Sequence, residues 1–96
     1  MESPRDVVRV LSALSEVNRF RIVALLGDDG AELSCGAIAS VLGLSPSLLS
    51  PHLAVLESAG VIDRRRDGPA TLNRLRRDEL SRKLAGLQRF LDLPKD

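Results

Sequence analysis

Apolar residues recur at helical spacing along the first part of the chain, and beyond Gly60 the pattern changes to strand-like alternation. Glycine-rich breaks divide the helical part, so it predicts several short helices instead of one long one. Asn18 is expected to cap the second helix, and Gly60 is expected to stop the fourth. We expect helices at residues 5–15, 18–26, 34–42 and 46–59.

Two short strands and a last helix are predicted beyond Gly60. Residues 61–66 and 70–75 have the pattern of strands, with Asp67-Gly68-Pro69 between them as a hairpin turn. The proline predicts a turn longer than the minimal two residues. The expected fold is therefore mainly α with a small β-hairpin. A seam of leucines marks a last helix over residues 78–93: Leu80, Leu84, Leu87 and Leu91.

The chain has the length and composition of one globular domain over residues 1–96. Apolar residues make up 44% of it and charged residues 28%, and no apolar run approaches the roughly 18 residues of a membrane helix. A single cysteine excludes an internal disulfide. One histidine and two aromatic residues leave little for a catalytic cluster or a base-stacking surface. No phosphate-binding loop or nucleophile motif is present, so we expect no enzyme.

The net charge of +1 hides an asymmetry along the chain. Residues 1–63 hold four basic and eight acidic residues, whereas residues 64–89 hold nine basic and three acidic ones, a net charge of +6. The basic stretch begins at Arg64-Arg65-Arg66. Such a patch is typical of a nucleic-acid interface, although a solvated arginine-rich face has the same composition.

The third helix, the turn Gly43-Leu44-Ser45 and the fourth helix form a helix-turn-helix pattern. Ser45 followed by Pro46 is a favoured pair for an N-cap and a first helical position. In a duplex-binding protein the second helix of such a pair enters the major groove. An arginine-rich hairpin directly behind it can then reach phosphates or an adjacent minor groove. The alternative is a small helical domain with a solvated hairpin.

Four further stretches carry a resemblance: LSALSEVNRFRI at residues 11–22, ELSCGAIA at 32–39, LGLSPSLLSPHLAVL at 42–56 and AGVI at 59–62. They are similar to the arsenical-resistance-repressor (ArsR/SmtB) family, and the similarity extends from about Val7 to Leu75. It implies a cytoplasmic, dimeric, winged helix-turn-helix repressor of transcription. It also implies that the first and last helices form the dimer interface. A winged-helix module that binds protein instead of DNA is the main alternative.

The resemblance and the helix phase together predict two sets of functional residues. The DNA-binding set lies at the start of the fourth helix and on the hairpin: Ser45, Ser47, Leu48, Ser50, Pro51, His52, Arg64, Arg65, Arg66 and Arg74. The dimer set lies on the first and last helices: Val7, Val8, Leu11, Leu80, Leu84, Leu87 and Leu91. The expected partners are double-stranded DNA and a second copy of the chain, with no membrane and with an unknown effector.

The fourth helix is unusual for a helix that reads bases. Its groove-facing side lacks the Arg, Lys, Asn and Gln side chains that make bidentate base contacts. Arginines favour the narrow minor groove of A·T tracts, so we expect a palindromic A·T-rich operator that is read partly by its shape. Pro51 disturbs a continuous helix, which predicts either a kink or a new helix start there. His52 lies on the flank of the helix, as a packing residue or as a DNA contact.

The sequence departs from the family at the position of its metal site. Members that sense metals use Cys-x-Cys on the third helix, and here Ser34 and Gly36 occupy those positions, with Cys35 between them. A lone thiol does not provide the pair that a soft metal requires, and the last helix has no histidine. We expect no family-type metal site and no cofactor. Cys35 is expected to be a small buried apolar residue, with a redox-sensing thiol or an unusual metal ligand as alternatives.

Overall fold

The computed structural model describes residues 2–30 and 32–94, and the elements follow the predicted order with one addition, β1. The mainly α fold with a small β-hairpin is confirmed. The described residues form α1 (Pro4–Leu14), α2 (Val17–Asp29), β1 (Leu33–Ser34), α3 (Cys35–Leu42), α4 (Pro46–Ser58), β2 (Ile62–Asp67), β3 (Ala70–Leu75) and α5 (Arg77–Phe90).

Polar side chains cap the helices and fix where they start. Ser45 accepts a hydrogen bond from the Leu48 amide at the start of α4, as its position before a proline predicts. The prediction that Asn18 caps α2 is wrong. Glu16 is the N-cap, and its carboxylate accepts a hydrogen bond of 2.9 Å from the Arg19 amide. The cap is therefore a longer, acidic side chain two residues before the asparagine that sequence preference favours.

Helix α4 is continuous through Pro51. A proline inside a helix removes one amide donor, here the one that would bond to the Ser47 carbonyl. Both residues are exposed, so water can bond to that carbonyl in place of the amide. The structure therefore decides between the two alternatives for Pro51 in favour of a single helix.

The β2–β3 hairpin, or wing, is tighter than predicted. Asp67 pairs with Ala70, so that Gly68 and Pro69 alone form the turn. Gly68 has a φ of 60°, and the fixed φ of proline suits the second position of a type II′ turn. The prediction of a longer turn is wrong because proline is compatible with that position.

Strand β1 extends the wing to a three-stranded antiparallel sheet in the order β1-β3-β2. Leu33 pairs with Asn73, and Ser34 pairs with Leu72. A strand of two residues carries too little alternation to be predicted from sequence. Its consequence is that the segment before α3 is attached to the wing.

The apolar core lies between α2, α3, α4 and the base of the wing. Val10 and Ala13 attach α1 to it. Its largest fully buried apolar side chains are Ile22, Leu26, Ile38, Leu49, Leu53, Leu56, Val61 and Ile62. Within the described residues, no helix taken alone has the length and apolar character to cross a bilayer. Helices α3 and α4 reach that length and apolar composition only when they are taken together, and they are bent by 114° at the turn between them.

Helix α5 packs against α1, where Gly86 permits a close approach. A Cβ atom at Gly86 would lie 3.2 Å from Cβ of Glu2 and 3.3 Å from Cγ2 of Val7. Lys83 forms a 2.8 Å ion pair with Glu2 on the same side of the helix. Val7, which belongs to the predicted dimer set, is therefore already covered by its own chain.

The leucine seam of α5 divides between two environments. Leu80 packs against the core and Leu87 is half-buried, whereas Leu84 and Leu91 are 42% and 59% exposed. The helix ends before Leu91, which forms its C-cap, so it is shorter than predicted. Only part of the seam is free to contact a second chain.

Replacing Gly86 by leucine is expected to destabilise the fold. The added side chain would collide with Val7 and Glu2, and overpacking of this kind costs about 1–3 kcal/mol. Urea unfolding followed by circular dichroism measures the change. The matched control is Ala85→Leu on the exposed side of the same helix, which should change the free energy of unfolding by less than about 0.5 kcal/mol. Equal stability of the two variants would contradict the close approach of the helices.

Candidate nucleic-acid interface

Helices α3 and α4 meet at a sharp turn. Residues 43–45 connect them, and α4 leaves α3 at a bend of 114°. Gly43 adopts the left-handed conformation with a φ of 68°, and the Leu44 amide donates to the Ala39 carbonyl at 3.0 Å. The length of the turn and the angle are those of a helix-turn-helix unit. The structure thus presents α4 as a helix that can enter a major groove.

The side of α4 that faces away from the core is exposed. Ser47, Leu48, Ser50 and Pro51 lie on it, and Leu48 is 62% exposed. The hydroxyl of the N-cap, Ser45, lies 3.2 Å from that of Ser47. The structure therefore brings five of the predicted DNA-binding residues together at the start of one helix. They offer hydroxyl groups and apolar surface, and none of them is a cation.

His52 lies on the flank of α4, where the corner between α1 and α2 holds it. Its Nδ1 lies 3.5 Å from Nη1 of Arg19 and 3.8 Å from Oε1 of Glu16. Arg19 in turn donates to the Ala13 carbonyl near the end of α1 at 2.7 Å. Because only 22% of the His52 side chain is exposed, this position favours the packing alternative over a base contact.

Arg64 points toward the helices and not toward solvent. Its Nε donates to Oδ1 of Asn73 at 3.0 Å, and its guanidinium lies 3.6 Å from Sγ of Cys35 and 3.9 Å from Oε1 of Glu57. Asn73 is fully buried, and its Nδ2 donates to the Leu33 carbonyl at 3.1 Å. Sequence reasoning missed Asn73, and a polar residue at an inward position of a strand was the only signal for it. Arg64 therefore connects the wing to α3 and α4.

The opposite face of the wing carries an outer cluster of two arginines and two carboxylates: Glu32, Asp63, Arg65 and Arg74. Both oxygens of Glu32 accept hydrogen bonds of 2.8 Å from Arg65, and Asp63 accepts one of 2.8 Å from Arg74. These residues and Arg64 line a cleft of about 300 Å³. The hydrogen bonds from Arg65 hold the pKa of the Glu32 carboxyl below its usual value. Two predicted DNA-binding cations are therefore paired within the chain with carboxylates that the sequence did not predict as their partners.

Arg66 is the most available cation of the arginine triplet. It is exposed and lies next to the turn of the wing. The only hydrogen bond of its guanidinium within the described residues is a long one, of 3.5 Å, to the Gly68 carbonyl. It also has no ion pair in that part of the chain, so its charge is free to meet a phosphate.

Several cations beyond the wing are paired as well. Arg76 lies 3.6 Å from Asp63 and 3.9 Å from Glu79. Glu79 also accepts a hydrogen bond from Arg82, which holds the pKa of the Glu79 carboxyl below its usual value. The net charge of +6 over residues 64–89 therefore overstates the positive surface that a polyanion would meet.

Cys35 is half-buried at the first position of α3. Its Sγ lies 3.5 Å from Nδ2 of Asn73 and 3.6 Å from Nη2 of Arg64, so its surroundings are more polar than predicted. Ser34 beside it is the N-cap of α3 and accepts a hydrogen bond from the Ala37 amide. Over residues 2–30 and 32–94, no group of three His, Cys, Asp or Glu side chains could hold a metal ion.

The comparisons with known sequences agree with this geometry. Residues 5–65 match a family described as a helix-turn-helix domain. The chain is 39% identical over 61 residues to a putative arsenical resistance operon repressor of Halobacterium salinarum, covering 64% of this chain and 47% of that protein. It thus spans about half the length of that relative. It is 34% identical over 83 residues to the transcriptional activator HlyU of Vibrio cholerae, covering 86% of this chain and 75% of that protein.

Among solved structures, similarity extends over nearly the whole chain. The solution structure of a homodimeric winged helix-turn-helix DNA-binding domain from Mycobacterium bovis, a possible ArsR-family regulator, matches with a TM-score of 0.72. The sequence identity is 30%, and the match covers 96% of this chain and 89% of that chain. The winged helix-turn-helix architecture predicted from the sequence is confirmed.

Replacing Asn73 by alanine is expected to lower the free energy of unfolding by about 1–3 kcal/mol, because the Leu33 carbonyl and the Arg64 guanidinium lose a buried partner. Thr71→Ala is the control, since it lies on the same strand and the same face but is only half-buried. Urea unfolding of both variants measures the difference. A loss no larger than that of the control would show that the buried amide is not needed for stability.

Proposed function

Because this chain belongs to the ArsR family of winged helix-turn-helix transcriptional regulators, we propose that it is a homodimeric repressor that occupies a palindromic, A·T-rich operator. The family consists of DNA-binding regulators and not of enzymes. The observation that carries the proposal is the exposed side of α4, presented by a sharp turn and followed directly by a wing with an available arginine.

In the proposed complex, the start of α4 lies in the major groove and the wing reaches the adjacent minor groove. The exposed hydroxyls of Ser47 and Ser50 meet base edges or phosphates, and Leu48 and Pro51 supply apolar contact. Arg66 is the first wing cation to bind, because within the described residues no carboxylate holds it. Arg64 and His52, which are held within the chain, position the wing and α4 instead of contacting bases.

The proposed base composition of the operator follows from what each element can recognise. Serine and apolar side chains discriminate poorly between base pairs, so α4 contributes limited direct readout. Arginine is attracted to the enhanced negative potential of a narrow minor groove, which A·T tracts provide. Part of the specificity therefore comes from the shape of the DNA at the wing.

The proposed dimer is supported by exposed apolar residues on the two helices that the family uses for assembly. Val8 and Leu11 of α1 are 61% and 37% exposed, and Leu84 and Leu91 at α5 are 42% and 59% exposed. Exposed apolar residues that recur on neighbouring helices are typical of a surface that another chain covers. A two-fold dimer presents two copies of α4, so its operator is palindromic.

The proposal of repression rests on the more identical of the two relatives reported, which is named as an arsenical resistance operon repressor. HlyU of Vibrio cholerae is named as an activator, so the direction of control varies among relatives. A dimer that covers promoter DNA excludes polymerase without further contacts, which makes repression the simpler outcome.

We also propose that operator binding does not depend on a metal at the family's cysteine positions. The hydroxyl of Ser34 is engaged as the cap of α3, and Gly36 has no side chain. Cys35 is left as a single thiol beside an amide and a guanidinium. Neither of those groups is a ligand for a soft cation.

Arg66→Ala is expected to weaken operator binding about fivefold to tenfold and to lower the slope of log K against log salt by about one, the loss of one phosphate contact. Footprinting beside the gene would define the operator, and fluorescence anisotropy over a series of KCl concentrations would give the slope. Arg89→Ala is the control, since Arg89 lies near the end of α5, over the ring of Phe90. Absence of salt-dependent DNA binding by the wild-type chain would favour the protein-interaction module instead.

Leu84→Glu combined with Leu91→Glu is expected to give a folded monomer that binds the operator at least tenfold more weakly, because a dimer holds two half-sites at once. Sedimentation equilibrium measures the mass, and circular dichroism checks the fold. The control is Val17→Glu with Phe20→Glu, an apolar pair on α2 that is at least as exposed. A monomeric wild-type protein at micromolar concentration would refute the dimer.

A further inference from the structure

Glu32 forms its side-chain hydrogen bonds with a single residue, Arg65, across the outer face of the sheet. It lies just before β1, the strand farthest from β2, and yet its carboxylate reaches Arg65 of β2. Both oxygens accept hydrogen bonds of 2.8 Å, and a bidentate pair of this kind is stronger and more directional than a single bond. The structure gives Glu32 no other side-chain partner within the described residues. Its carboxylate therefore occupies the Nε–Nη2 edge of the guanidinium, one of the two edges that can bind a phosphate.

Asp63, the other carboxylate of the outer cluster, has a broader role. It binds Arg74 at 2.8 Å and lies 3.6 Å from Arg76, at the junction between β3 and α5. Removing it would disturb that junction as well as freeing Arg74. Glu32 is therefore the carboxylate of the cluster whose hydrogen bonds all go to one cation of the wing.

We infer that Glu32 raises the sequence selectivity of this protein, because it competes with DNA phosphates for Arg65. The inference rests on the proposed function, since it requires that the wing approaches DNA. It assigns to Glu32 a role that the positions of the DNA-binding residues alone do not reveal.

Duplex DNA of arbitrary sequence offers Arg65 only phosphates. Non-specific binding comes almost entirely from cations that replace the counterions of phosphates. Arg65 gains little by exchanging one bidentate anion for another, and the released carboxylate of Glu32 would then lie unpaired beside a polyanion. Arg65 is therefore expected to stay with Glu32 on such DNA and to add nothing to binding.

A narrow A·T-rich minor groove offers more than a single phosphate. Its negative potential is enhanced by the two close strands, and an inserted arginine is attracted by both. Only a site of this shape competes successfully with Glu32 for Arg65. The ion pair thus lowers binding to random DNA more than it lowers binding to the operator, which raises the ratio of the two affinities.

Glu32→Gln tests the inference, because glutamine keeps the size of the side chain and removes its charge. We expect the affinity for a random-sequence duplex to rise about tenfold, with a salt slope steeper by about one, as one more phosphate contact forms. The affinity for the operator duplex should rise only about twofold to threefold, so the selectivity ratio falls. Fluorescence anisotropy over a series of KCl concentrations measures the affinity and the salt slope for each of the two duplexes.

Asp28→Asn is the matched control for the change in net charge. Asp28 is exposed near the end of α2 and, among the described residues, has no ion pair with a wing arginine. It should raise the affinity for both duplexes equally and by less than Glu32→Gln raises that for random DNA. A gain from Glu32→Gln that merely equals this control would overturn the inference, because a general change in charge would explain it.

The double variant with Arg65→Gln decides whether Glu32 acts through Arg65. If it does, Glu32→Gln raises the random-duplex affinity no more than Asp28→Asn does once Arg65 is replaced. A larger gain that persists without Arg65 would show simple repulsion between Glu32 and DNA and would overturn the inference. Failure of the wild-type chain to bind any duplex would overturn the proposed function itself, a result distinct from normal binding with an ineffective Glu32→Gln.

Discussion

The orientation of the wing relative to the helix-turn-helix unit depends on one buried amide, that of Asn73. It donates to the Leu33 carbonyl and lies against the Cys35 thiol, and it accepts a hydrogen bond from Arg64. A buried polar group that loses its partners costs about 1–3 kcal/mol. If the wing moved away from α3, the Asn73 amide would lose these partners. The hairpin and the two helices therefore behave as one body. The exposed side of α4 and the tip of the wing can therefore approach a duplex together, without a prior rearrangement.

Three consecutive arginines have three different roles because strand side chains alternate and the strand ends at a turn. Arg64 faces the helices and is held by the buried amide, Arg65 faces outward and is held by Glu32, and Arg66 is exposed beside the turn. Each arginine carries the same charge, but within the described residues only Arg66 lies without a carboxylate partner. What a polyanion meets is thus decided by the carboxylates across the sheet and not by the number of arginines.

Sequence patterns predicted those features of the structure that depend on residues close together in the chain. The cap at Ser45 and the exposed side of α4 depend on residues within a few positions of each other. The choice of Glu16 over Asn18 as the cap of α2 shows where such reasoning ends, because both offer an acceptor oxygen within one turn of the helix start. Glu32 and Arg65 are 33 residues apart, and nothing near either of them specifies the other. Their pairing follows from the unpredicted strand β1, which brings the residue before it to the edge of the sheet.

Contacts between charged residues continue from the wing to the pair of helices that carries the proposed dimer surface. Asp63 lies against Arg76, Glu79 lies between Arg76 and Lys83, and Lys83 binds Glu2 ahead of α1. Exposed pairs of this kind contribute only about 0–1 kcal/mol each, so the apolar core and not this series supplies the stability. Their effect is on orientation, since each pair fixes one element against the next. The Lys83–Glu2 pair is the least exposed, with side chains 17% and 15% accessible, and it holds the start of α1 against α5. The geometry of the dimer surface and that of the wing are therefore set by contacts within one chain.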